Sequence, residues 1–154
     1  MGIALEKMTW GSWHPHKVKL AVSGCPRNCA EATIKDFGVV ATEAGWDLHV
    51  GGNAGIKVRA TDLLCKVTTE DEVLEYCGAF LQLYRQEARY LERTAPWVER
   101  VGLKYVQAQM VDDEPNRKAL YAKFLYAQSF SQIDPWAEEA AKNWQKYQPL
   151  AELV

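Results

Sequence analysis

An α/β fold is predicted: a small mixed sheet with a helix after a cysteine loop, then a mostly helical lobe. Three observations predict it. Short apolar runs rich in β-branched residues, separated by glycines, fill residues 17–67. From residue 70 onward, apolar side chains recur at three- and four-residue steps among helix formers. The change falls near residue 68, which divides the chain into 1–68 and 69–154, the second being a helical lobe of the same domain. A length of 154 residues suits one such domain.

Taken in order, Ile3 to Trp10 has a short helical pattern, with Ala4, Leu5 and Met8 as its apolar contacts. A helix this short is marginal alone, and no capping residue precedes it. Gly11 to His16 is a loop in which His14 and His16 flank Pro15. Two histidines near a cysteine pair invite a zinc reading, but no companion ligands stand at zinc-finger spacing. Residues 17–23 alternate Val18, Leu20 and Val22 against Lys17, Lys19 and Ser23, as a strand does. Gly24 permits a sharp turn and Pro26 suits the first turn of a helix, expected over about 27–35.

Phe37 to Thr42 and Trp46 to Val50 form a hairpin across Glu43-Ala44-Gly45. Gly51-Gly52-Asn53-Ala54-Gly55 follows, either an ordinary turn or a place where backbone N–H groups approach a ligand. Ile56 to Ala60 resumes a strand and Asp62 to Val67 pairs as another. Thr68 or Thr69 caps a helix with Glu70, Asp71 and Glu72 in its first turn, running to about Arg93. A second helix carries Trp97, Val101, Tyr105, Val106 and Met110. A third spans Glu114 to Gln128, and a fourth opens at Asp134-Pro135 and includes Trp136, Ala140 and Trp144. The aromatic stripes read as helix packing rather than a cofactor wall.

The net charge of −2 gives no reason to expect nucleic acid or an anionic membrane as partner. No run is long enough to span a membrane and no signal peptide is evident, so a cytoplasmic protein is expected. Without a secretory signal, the four cysteines do not imply a disulfide framework. Cys77 lies on the apolar stripe of a helix and Cys65 within Leu63-Leu64-Cys65-Lys66-Val67, where both read as small buried hydrophobes.

The remaining pair, Cys25 and Cys29, carries the chemistry. Cys25 falls at roughly the helix N-cap and Cys29 four residues on, so the two share a face, and the free N–H groups there favour thiolates and any anionic cluster they hold. A Cys-x3-Cys pair alone is consistent with a redox dithiol, half a metal site or two buried thiols. The strand–Gly–Cys–Pro setting favours metal over packing. An iron–sulfur cluster takes four thiolates, so one pair supplies half.

The run Lys19-Leu20-Ala21-Val22-Ser23-Gly24-Cys25-Pro26-Arg27-Asn28-Cys29-Ala30-Glu31-Ala32, with Leu48-His49-Val50-Gly51-Gly52-Asn53, resembles the sirohaem and 4Fe-4S region of the nitrite and sulfite reductase family. Trp10-Gly11-Ser12-Trp13-His14-Pro15-His16 also fits, most closely the large subunits of NAD(P)H-dependent assimilatory nitrite reductases. The resemblance covers most of the chain and is strongest over 2–68. It implies that Cys25 and Cys29 are cluster ligands, with Cys29 bridging cluster and sirohaem iron. It places Arg27 and Asn28 beside the tetrapyrrole and cluster, and Gly51, Gly52 and Asn53 near the same groups. It further implies a parent oxidoreductase that reduces nitrite to ammonia with electrons from NAD(P)H through FAD, both bound by upstream domains. A small nitrite reductase subunit is a possible further partner. The family's first cysteine pair and its substrate-binding arginines and lysines have no counterpart here. The chain therefore reads as a C-terminal fragment with no catalytic residue of its own and inactive alone. A sulfite reductase fragment and a non-catalytic metal or redox module are the alternatives.

Overall fold

The computed structural model describes residues 1–132 and 134–142, so Trp144 lies outside the described residues. Four strands form one sheet: β1 (Leu20–Ser23), β2 (Phe37–Thr42), β3 (Gly45–Val50) and β4 (Asp62–Val67). They lie in chain order, with β1 parallel to β2 and the other pairs antiparallel, which makes the sheet mixed as expected. Among the described residues six α-helices accompany it: α1 (Gly2–Thr9), α2 (Glu70–Glu87), α3 (Thr94–Val101), α4 (Leu103–Met110), α5 (Glu114–Ser131) and α6 (Pro135–Lys142). One apolar core joins sheet and helices. Phe37 of β2 meets Phe80 of α2, which meets Trp97 of α3 edge-on with ring centroids 5.6 Å apart.

Helix α2 begins where the sequence places it. Thr69 caps the Glu72 N–H, and the Glu72 carboxylate accepts from the Thr69 N–H, closing a reciprocal box. That hydrogen bond, with a second from the Thr68 N–H, holds the Glu72 carboxyl below its ordinary range. Helix α2 ends at Glu87, short of the expected Arg93, because Ala88 is extended and Leu91 adopts a positive φ of 64°.

Three further expectations are corrected. The second lobe helix divides into α3 and α4 at Gly102, whose φ of 87° has no place in a helix interior. Residues 56–60 form no strand. Ile56 and Val58 are exposed, so alternation buries no face there, and Asn53 and Arg59 make only an isolated bridge. The helix expected over 27–35 contracts to one 3-10 turn, Ala32–Ile34, because Asn28 and Glu31 both sit at φ 54°. An α-helix cannot pass through two left-handed residues.

Candidate functional site

The Cys loop belongs to the crossover, residues 24–36, that carries the chain from β1 to its parallel neighbour β2. Without an α-helix there, Cys25 is not a helix cap, and the crossover offers the sulfurs no α-helix dipole. Tight turns replace it. The Cys25 carbonyl accepts the Asn28 N–H at 3.1 Å, and the Asn28 carbonyl accepts the Glu31 N–H at 2.9 Å. Cys25 and Cys29 are both free thiols and both exposed.

Asn28 holds this loop together. Its Oδ1 accepts from Ser23 Oγ at 2.9 Å and from the Ala32 N–H at 2.8 Å, while Nδ2 donates to Thr33 Oγ1 at 2.7 Å. Both ends of the loop are thus tied to one side chain that lies between the two cysteines in sequence. Asparagine is among the few residues that tolerate the left-handed backbone at this position. Arg27 stands beside it, exposed and without an ion pair or hydrogen bond among the described residues.

The glycine turn lies against the far end of the crossover. The Gly51 N–H donates to the Asp36 carbonyl at 3.0 Å and the Gly52 N–H to the Lys35 carbonyl at 2.9 Å. A Cβ on Gly52 would fall 2.5 Å from the Lys35 carbonyl oxygen, so only glycine permits this approach. The Asn53 N–H bonds to the Arg59 carbonyl, and its side chain spans Gly55 and Lys57. These three N–H groups are therefore hydrogen-bonded within the chain. The turn does adjoin the Cys crossover, as the sequence suggested, and the Thr61 N–H adds a bond to the Thr33 carbonyl.

The other two sulfurs cannot complete a ligand set. Cys65 faces Leu48 across β3 and β4, where burial pushes its thiol up to about 11. Cys77 is wholly buried on α2, and burial raises its thiol further. Among the described residues, no group of three or more His, Cys, Asp or Glu side chains is placed to hold a metal ion. Two exposed thiols on a pinned loop fit half of a four-thiolate cluster and no more.

Sequence reasoning missed Asp36, which is fully buried at the start of β2. Its Oδ2 accepts from the Lys19 N–H at 2.8 Å and from Arg93 Nη2 at 2.7 Å, and its Oδ1 accepts from Thr94 Oγ1. This knot fixes the approach to β1, the end of the Cys crossover and the start of α3 relative to one another. Its partners lie up to 58 residues away, so no local pattern announces it. Gln128 was missed for the same reason. It donates to the Met8 and Trp10 carbonyls and accepts from Ser12, clamping the segment ahead of β1 onto α5.

The family model described as the nitrite and sulphite reductase 4Fe-4S domain matches residues 2–118. A nitrite reductase [NAD(P)H] of Bacillus subtilis (strain 168) is 56% identical over 90% of this chain, which covers 17% of that protein. The large subunit of a nitrite reductase (NADH) of Escherichia coli (strain K12) is 43% identical over 74% of the chain and 14% of its own length. An assimilatory-type sulfite reductase of Nitratidesulfovibrio vulgaris is 36% identical over 70% of the chain and 49% of its own length. The chain thus spans about a sixth of the two nitrite reductases and half of the sulfite reductase.

Proposed function

The chain belongs to the nitrite and sulphite reductase 4Fe-4S domain family, and from that membership we propose that it forms part of the cluster- and sirohaem-binding region of an NAD(P)H-dependent nitrite reductase. In this reading residues 1–68 are the C-terminal part of the sirohaem/4Fe-4S domain and 69–154 its helical lobe. The observation that carries the reading is the pair of exposed thiols, Cys25 and Cys29, on a loop whose two ends are tied to Asn28.

Cys25 and Cys29 would each give one thiolate to a 4Fe-4S cluster, and Cys29 would also reach the sirohaem iron. Upstream domains would give the other two thiolates. When bound, the two groups supply the electron transfer and the iron at which nitrite is reduced to ammonia. This chain contributes position. Asn28 holds both cysteines in one loop conformation, so a ligand meets them without first ordering the backbone. Arg27, exposed beside the pair, offers a fork suited to a tetrapyrrole carboxylate. Gly51, Gly52 and Asn53 would lie near the same prosthetic groups, on the turn that adjoins the end of the crossover. The reading includes FAD and NAD(P)H in upstream domains, a small subunit as a further partner, and a cytoplasmic location. Among the described residues no helix is long and apolar enough to cross a membrane.

The test is a comparison of two polypeptides, these 154 residues and a longer one carrying a further cysteine pair upstream, by visible absorption and iron content under anaerobic conditions. The longer one is expected to hold both cluster and sirohaem, and the shorter one neither. A longer polypeptide with neither group, or a short one with a full cluster, would overturn the assignment. Sulfite as substrate is the second reading, favoured by the match to the sulfite reductase.

A further inference from the structure

Arg85 on α2 is a half-buried cation with no carboxylate partner among the described residues. Its Nε is buried with no hydrogen-bond partner among the described residues, and its one hydrogen bond is a 3.3 Å contact to the neutral Gln82. On one side the guanidinium lies 5.4 Å from the Phe124 ring centroid, and on the other it lines a cleft of about 130 Å³ with Trp13 and Ser131. Burial lowers its pKa, as expected of a charge partly withdrawn from water.

Trp13 also lines a second, larger cleft of about 410 Å³, on whose wall stand His14 and Lys17. His14 is held neutral, pushed down to about 4 by burial and then by Arg85, and its Nδ1 is buried without a partner. Among the described residues, no Asp or Glu lines either cleft. The indole between them is 65% exposed. An exposed tryptophan flanked by cations and a buried unpaired donor, with no acid among the described lining residues, has the composition of an interface centre. A buried guanidinium is stable when a carboxylate meets it bidentately.

We propose that the clefts on either side of Trp13 are the docking site for an acidic segment of the longer polypeptide, which places an Asp or Glu carboxylate on Arg85 and covers the indole. This rests on the reading that these residues form part of a larger reductase. The relatives supply a reason to look within the same polypeptide, since the chain spans only 17% of one of them.

Carbodiimide coupling tests the contact in the full-length enzyme carrying Arg85→Lys, which keeps the cation and adds an amine that couples to a touching carboxylate. Lys118 and Glu114, 2.6 Å apart, serve as the internal control. The expected product joins residue 85 to an Asp or Glu outside residues 1–154. The control product alone, a link to an acid within this chain, or a link to a separate subunit would each overturn the proposal. A second measurement needs no substitution. In the wild-type enzyme, Trp13 should oxidise under hydroxyl radicals about tenfold more slowly than N-acetyltryptophanamide, because the docked segment excludes water. A rate near that of the free amide would also overturn it. Failure of the underlying reading looks different. A native protein isolated at 17.4 kDa would refute the larger reductase, whereas an intact large enzyme with an open Trp13 refutes only the docking.

Discussion

Replacing Asn28 with alanine should loosen the Cys loop by an amount that the structure allows us to work out. Three hydrogen bonds are lost, at 2.7 to 2.9 Å, to Ser23, Ala32 and Thr33. At about 1 kcal/mol each net, they sum to about 3 kcal/mol. Ser23 and Ala32 are buried, so the orphaned hydroxyl and N–H cannot turn to water and the loss is not recovered. The backbone adds to this. Alanine at φ 54° costs about 1 kcal/mol more than asparagine does. The expected destabilisation is therefore about 4 kcal/mol. Asn28→Gly removes the same hydrogen bonds but not the backbone freedom, so it should cost about 1 kcal/mol less. Urea unfolding gives the totals, and amide exchange at Ala32 shows whether the loop opens first. A loss below about 1 kcal/mol for Asn28→Ala, or glycine worse than alanine, would refute the reasoning.

Other perturbations have equally definite outcomes. Asp36→Asn removes the fully buried counter-charge of the partly buried Arg93 and should destabilise by about 3 kcal/mol in denaturant titration, more than any single exposed ion pair. Gly52→Ala drives a Cβ into the Lys35 carbonyl and should shift the Cys crossover, seen as amide chemical-shift changes from Lys35 back to Asn28. His14 is neutral when folded, with its pKa pushed down to about 4, so the unfolded chain binds the extra proton between about pH 6.5 and 4. Stability should accordingly be complete above pH 6.5 and fall toward pH 4, by about 3 kcal/mol from this group, with the slope reduced in His14→Gln. A disulfide reagent should label Cys25 and Cys29 at once, Cys65 slowly, and Cys77 only on unfolding.

Much of the fold was legible because local chemistry dictated it. Thr69 and Glu72 announce the start of α2, and the hairpin of β2 and β3 follows from alternation broken by Glu43-Ala44-Gly45. The Cys pair was legible as chemistry but not as conformation. Pro26 suits a helix start, yet the left-handed residues at 28 and 31 decide against one, and nothing in their identity forces φ 54° without Ser23, Ala32 and Thr33 around them. The error at 56–60 has the opposite cause. Alternation was real, but Ile56 and Val58 face solvent, so the pattern has no core to act on. Asp36, Gln128 and Arg85 escaped notice because each takes its meaning from side chains far away in sequence.

The proposed role of Cys29, joining cluster to sirohaem, is tested most directly by one substitution in the full-length enzyme. Cys29→Ser should abolish nitrite reduction and remove the visible bands of the prosthetic groups, while electron flow from NAD(P)H through flavin to an artificial acceptor continues at its wild-type rate. Nitrite reduction at the wild-type rate with Cys29 gone would contradict the account.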